Sequence, residues 1–188
     1  EDWEFEAIHR LNYRTFVEEI PQHAPNPDGR LVDRFHAENK YVIALHGREL
    51  AGMLALRTQR PFSLDAKVPN LDQYLPAGRR PVEARLLAVE PAFRRTAVFV
   101  ALFEHAVRLC LDLGFDLAVI SATTRQLKLY RHLGCTAFGP LVGTAAAPYQ
   151  PMFLTLEAFG RAVEKSPAFR GTYPAGPAAL RALNLLPG

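Results

Sequence analysis

The sequence predicts an α/β (α+β) fold: a mixed, twisted sheet with helices on both faces. Three patterns carry that expectation. After residue 81 the apolar periodicities alternate in the order β-α-β-α-β-β, which calls for a sheet flanked by helices. Residues 41–45 and 50–57 are short apolar runs joined by His46-Gly47-Arg48-Glu49, the pattern of a hairpin. Residues 97–113 gather their polar side chains, Glu104, His105, Arg108 and Asp112, on one narrow stripe, so the rest of that helix is destined for burial.

Each element follows from local chemistry. Residues 3–20 carry Phe5, Ile8, Leu11, Phe16, Val17 and Ile20 at roughly helical spacing, and Pro21 stops that helix. Residues 21–39 hold Pro21, Pro25, Pro27 and Gly29 among polar groups and read as loop. The hairpin follows. Residues 58–80 are broken by Pro61, Pro69 and Pro76, with one helical turn near residues 71–74. Residues 82–89 form a strand, and the 97–113 helix is capped by Gly114. Residues 115–121 are largely apolar, as in a buried central strand. The strands over 82–89 and 115–121 are expected to be parallel neighbours, joined by a right-handed crossover and splayed at their C-terminal ends. Residues 124–133 form a helix with Gly134 at its C-cap, residues 135–138 and 152–156 are strands, and residues 157–165 close the domain as a short helix. Residues 1–165 therefore read as one domain. Residues 166–188, seven of them Pro or Gly, read as a linker between domains or a tail laid over the surface.

Composition excludes several function classes. The chain has 188 residues, 49% hydrophobic and 22% charged, which is ordinary for a globular protein. Its net charge of +3, from 18 Arg and 4 Lys against 19 acids, is too mild for nucleic-acid binding through bulk charge. The longest hydrophobic run, residues 97–103, is too short to span a bilayer, and no secretory signal pattern opens the sequence. Cys110 and Cys135 offer neither a disulfide framework nor a CxxC pair, so the expected setting is the reducing cytoplasm. The six histidines share no H-x-x-x-H or H-x-H spacing, so no metal site is expected. There is no G-x-S-x-G, P-loop or G-x-G-x-x-G.

The chemistry lies elsewhere. Val89-Glu90-Pro91-Ala92-Phe93-Arg94-Arg95-Thr96-Ala97-Val98 joins a strand end to a helix start. Free backbone N–H groups and the positive end of the helix dipole meet there, and both attract phosphate. This segment resembles the V-x-P-x-[YF]-R-G-x-G-[IVL]-G signature of the GNAT acyltransferase superfamily. One helix and one strand further on, Leu129-Tyr130-Arg131-His132-Leu133-Gly134-Cys135 resembles that superfamily's Y-x-x-x-G-F segment, with Cys135 in place of Phe. Glu83-Ala84-Arg85-Leu86-Leu87-Ala88-Val89 is similar to the E-x-x-R or E-x-S-R strand of N-acyl amino acid synthases and acyl-homoserine-lactone synthases. Leu11-Asn12-Tyr13-Arg14-Thr15-Phe16-Val17-Glu18-Glu19 resembles their L-R-Y-x-x-F-V-x-E helix, and Asp33-Arg34-Phe35-His36 their D-x-[FY]-D. Residues 52–57 resemble their G-x-x-R-L strand, and the resemblance spans residues 5 to about 158.

The resemblance implies an acyltransferase that moves an acyl group from a thioester donor, acyl-CoA or an acyl carrier protein, to an amine such as that of an amino acid. It implies a donor site at Arg94, Arg95, Thr96, Ala97 and Val98, a base at Glu83, a general acid at Tyr130, and no metal. Arg95, Ala97 and Phe99 stand where the superfamily prefers glycine or a small residue. That departure disfavours tight coenzyme A binding and suits a carrier protein with a single phosphate on its prosthetic arm. Arg57 and Arg85, on neighbouring strands, could clamp an acceptor carboxylate, with Asp33 and His36 in a loop over the acceptor side. Structural readings stand beside each assignment. Glu83 could pair with Arg85 or Arg80, Tyr130 could pack in the core, the arginines could be solvated, and Asp33 and His36 could cap turns. The competing function is a non-catalytic module that docks or senses an acyl carrier. The closing Leu185-Leu186-Pro187-Gly188 resembles the opening of class V aminotransferases, which use pyridoxal phosphate, and implies fusion to a larger enzyme.

Overall fold

The computed structural model describes residues 2–165. The predicted linker or tail, with the segment that resembles aminotransferases, lies outside the described residues.

Helix α1 spans Asp2–Tyr13 and continues as a π-helical turn over Arg14–Glu19. The sequence predicts one unbroken helix here. Instead the chain widens after Tyr13, and the Ile20 N–H donates to the Thr15 carbonyl at 3.0 Å, a step of five residues. The wide turn buries Thr15, Phe16 and Val17. Phe5, one of the apolar residues at helical spacing, is 42% exposed and sits edge-on to His36.

Strands β1 (Lys40–His46) and β2 (Glu49–Arg57) form the expected hairpin. β3 covers Pro81–Val89, α2 Val98–Asp112, β4 Leu117–Thr123 and α3 Leu127–His132. β5 is only Thr136–Ala137, and β6 is Val142–Gly143. β7 runs over Pro148–Thr155, four residues earlier in its start than the sequence predicts, and α4 covers Leu156–Lys165. The seven-stranded sheet has the order β1-β2-β3-β4-β7-β5, with β6 also on β7. Its β3–β4 pair is parallel, as expected, and the other pairs are antiparallel. The sequence gives no sign of β6, because two residues carry no alternation. Gly143 makes its turn possible: it has φ +95°, and an added Cβ would sit 2.6 Å from the Ala147 carbonyl.

Helices cover both faces. On one, Ile8 and Leu11 of α1 pack with Phe16 against Met53 and Ala88. Beside them the 58–80 segment lays Phe62, Leu64, Val68 and Leu71 over Val119. On the opposite face, Leu102 and Ala106 of α2 pack on Leu54, Leu56 and Val82. Phe103, Tyr130, Phe159 and Val163 extend that layer over Ile120 and Met152. Gly52 permits the close approach of α2, since a Cβ there would lie 3.0 Å from both the Ala88 carbonyl and Leu102.

Candidate active site

The site begins with a ladder that stops. β3 and β4 pair from Pro81↔Leu117 to Ala84↔Ile120 and no further, although both strands continue. This is the predicted splay. Its cause lies on β3. Ala55 pairs with Arg85 and Met53 with Ala88, so Leu54 alone faces both Leu86 and Leu87. That is a bulge, and Leu86 takes φ +53° to make it. Left-handed backbone at a branched residue costs of order 1–3 kcal/mol, the kind of strain that collects at binding sites.

A cavity of about 570 Å³ enters the split. It reaches both sheet faces. On the α1 face its walls include Thr15, Ser63, Lys67, Arg85, Ser121 and Tyr149. On the α2 face they include Phe99, Phe103, Leu129 and Tyr130. The Thr15 Oγ1 and Ser121 Oγ are buried and have no hydrogen-bond partner among the described residues. Two unpaired hydroxyls in one cavity are hydrogen-bonding capacity left for a ligand.

The α1 face carries a connected polar cluster. Glu83 is 1% exposed and does not itself line the cavity. Its Oε1 accepts from the Ser63 Oγ at 2.5 Å and the Leu64 N–H at 3.2 Å, while its Oε2 accepts from the Ser63 N–H at 2.7 Å. Ser63 stands between this carboxylate and the cavity. Arg85 Nε lies 3.5 Å from Glu83 Oε2. The rest of that guanidinium grips Asp33, with Nη1–Oδ2 at 2.8 Å and Nη2–Oδ1 at 3.0 Å. Asn39 and the Phe35 N–H also donate to Asp33 Oδ2. Arg85 and Asn39 thus hold the Asp33 carboxyl below its ordinary pKa, against a desolvation that pushes the other way. Arg57 is buried, donates to Glu38 and to the Pro61 carbonyl, and stacks 3.7 Å from the Phe35 ring centroid.

The expected acceptor-side residues therefore gather, though not as an open clamp. Arg85 lines the cavity, but its fork is filled by Asp33. Arg57 and Asp33 lie behind the wall. His36 sits further off, with Nδ1 3.1 Å from the Tyr41 hydroxyl.

Of the segment expected to bind the donor, Arg94, Arg95, Thr96 and Phe99 line the cavity, whereas Ala97 and Val98 do not. Arg94 is engaged: Nη2 meets the Glu19 carboxylate at 2.5 and 2.7 Å, and Nε donates to the Val89 carbonyl at 2.9 Å. Arg95 is exposed and forms no ion pair among the described residues. The Thr96 Oγ1 accepts from the Val98 N–H at 3.3 Å, which takes up one of the free donors at the start of α2. Val98 packs with the α2 layer on β2. Tyr130 lines the cavity from α3, and burial pushes its phenol well above the ordinary tyrosine pKa. Tyr130 and the Glu83–Ser63 pair thus address one cavity from opposite sheet faces.

Sequence reasoning did not single out Ser63, Lys67, Ser121, Tyr149 or Thr15 for chemistry. Only Thr15 lay in a stretch with a motif. Cys110 and Cys135 are pushed to about 12 by burial, which leaves both as inert thiols. Among the described residues, no helix is long and apolar enough to cross a membrane.

Solved structures show the same fold. The CoA-dependent acyl-homoserine lactone synthase BjaI, solved with SAM and isopentyl-CoA, superposes with a TM-score of 0.70 at 24% identity, over 96% of this chain and 90% of that one. FeeM, an N-acyl amino acid synthase from uncultured soil microbes, gives 0.63 at 19% identity, over 85% and 88%. An acyl-CoA N-acyltransferase from Pseudomonas aeruginosa gives 0.55 at 18%, over 80% and 89%. No curated protein sequence matches the chain. The family model of the N-acyl amino acid synthase FeeM matches residues 7–154, a stretch that contains every wall of the cavity, and the chain belongs to that family.

Proposed function

We propose that the protein is an N-acyltransferase that moves an acyl group from a phosphopantetheine thioester to the amino group of an amino acid. The observation that supports this best is the cavity through the β3–β4 split. It carries a polar, titratable wall on one sheet face and an aromatic, largely apolar wall on the other. An amine needs the first and an acyl thioester the second.

The steps follow from the residues. Past Ala84 the β3 edge has no ladder bond to β4, so backbone groups of Leu86 to Ala88 face the donor's amides and the thioester oxygen. Attack forms the C–N bond and puts negative charge on that oxygen. The amine proton passes to the Ser63 Oγ while Ser63 hands its own proton to Glu83 Oε1, 2.5 Å away. The C–S bond then breaks, and the sulfur leaves as a thiolate that accepts a hydrogen bond from the Tyr130 phenol, which burial keeps protonated. Arg95, exposed on the cavity and without an ion pair among the described residues, meets the donor phosphate.

Tyr130→Phe should lower kcat about tenfold, less than the ~10²–10⁴ of full acid catalysis, because a thiolate leaves readily. Steady-state rates at saturating donor check this. Arg95→Ala should raise the donor KM, and the effect should shrink as salt rises. Arg94→Ala should matter less, since Glu19 already holds that guanidinium. Because Phe99 lines the cavity and Arg94 is engaged, an acyl carrier protein should be a better donor than acyl-CoA.

The test is thiol release from acyl-CoA and acyl-carrier donors, with and without pooled amino acids. Release that depends on the amino acid supports the reading. Donor binding with no release under any acceptor would overturn it in favour of a non-catalytic carrier-binding module.

A further inference from the structure

We propose that Lys67, rather than the two buried arginines, binds the acceptor's carboxylate and makes the enzyme select amines that carry an anionic group close to nitrogen. This rests on the acyl-transfer reading above and adds the residue that reads the acceptor.

Two of the cations near the cavity are already engaged. Arg57 has Glu38 and the Pro61 carbonyl. Arg85 has both oxygens of Asp33 and approaches Glu83. A guanidinium whose fork is filled offers a new carboxylate little. Lys67 differs. It lines the same cavity on the α1 face and forms no ion pair among the described residues. Its Nζ lies 5.2 Å from the Tyr149 ring centroid, and Tyr149 lines the cavity too. Burial pushes the Tyr149 phenol to about 12, so no phenolate competes for the ammonium near neutral pH. Desolvation, Arg85 and Arg34 all disfavour the charged form of Lys67, and Glu83 favours it. A bound carboxylate would act in the same direction as Glu83.

Position also fits. Ser63 and Lys67 are four residues apart in a segment held by the Lys67 N–H to Leu64 carbonyl bond at 2.9 Å and the Val68 N–H to Leu64 carbonyl bond at 2.8 Å. Those bonds close a turn over residues 63–67, so both side chains sit on one short segment. Phe62, Leu64 and Val68 are buried and anchor the segment to Val119. One turn therefore presents a hydroxyl for the amine and an ammonium for the carboxylate. An α-amino acid separates those two groups by a single carbon.

The experiment compares an α-amino acid with its carboxamide as acceptors, for wild type, Lys67→Met and Lys67→Arg. Wild type should use the acid at lower KM than the amide. Lys67→Met should raise the acid's KM by about 10- to 100-fold more than the amide's, the scale of one charged hydrogen bond, and Lys67→Arg should recover most of it. Equal effects on acid and amide, or no effect on either, overturn the proposal while leaving acyl transfer intact. Where no acceptor turns over, acyl transfer itself fails, and calorimetry of the same two compounds decides the binding claim. Acid-selective binding lost in Lys67→Met supports it, and binding without that selectivity, or none at all, rejects it.

Discussion

Glu83→Gln is expected to lower kcat by about 10²–10⁴, the range for loss of a positioned base. The substitution keeps the shape but removes the charge that draws the proton from Ser63. It also turns an amide N–H₂ toward groups that donate: the Ser63 N–H and Oγ–H and the Leu64 N–H all point at this carboxylate. Some stability should be lost as well, so the rate is read on protein shown to be folded by circular dichroism. Ser63→Ala provides the second arm. It leaves Glu83 with its two backbone donors and deletes the hydroxyl that a cavity-lining residue offers to it, so kcat should fall with little change in unfolding midpoint. Near-native turnover in Glu83→Gln would remove that carboxylate from the mechanism.

The largest effect on stability should come from Asp33→Ala. The Asp33–Arg85 pair is bidentate, and its side chains are only 8% and 12% exposed. Removing one partner leaves the Arg85 guanidinium largely buried and without its main anion, which costs about 3–5 kcal/mol in comparable buried pairs. Urea unfolding read by circular dichroism measures it. The pH dependence has a definite sign. The folded-state pKa of Asp33 is lowered, so its contribution is fully present above the unfolded value of ~3.9 and is lost as pH falls through the depressed folded value. Wild type should therefore lose stability below about pH 4 more steeply than Asp33→Ala.

Much of the frame was legible because its elements have a period. The hairpin, the parallel β3–β4 pair and the buried face of α2 all follow from alternation or helical spacing. The residues of the polar wall have none. Ser63 and Lys67 lie in a segment broken by prolines, and they reach the cavity only because Phe62, Leu64 and Val68 fold it onto the sheet. The arginines show a second limit. Sequence shows where positive charges sit along strands, but not what neutralises them. Arg85 meets an Asp 52 positions earlier in the chain, and Arg57 a Glu 19 positions earlier. An expected open clamp thus became a filled one. The π-turn after Tyr13 carries no signal in apolar spacing, since Phe16, Val17 and Ile20 suit an α-helix equally well.

Product identification by mass spectrometry tests the central claim most directly. The purified protein is incubated with one acyl carrier donor or one acyl-CoA and a pool of amino acids. The expected result is a new ion at the mass of an N-acyl amino acid, absent without protein and strongly reduced in Ser63→Ala. Free fatty acid and thiol as the sole products, or an intact donor after prolonged incubation with every acceptor, would contradict acyl transfer to an amine.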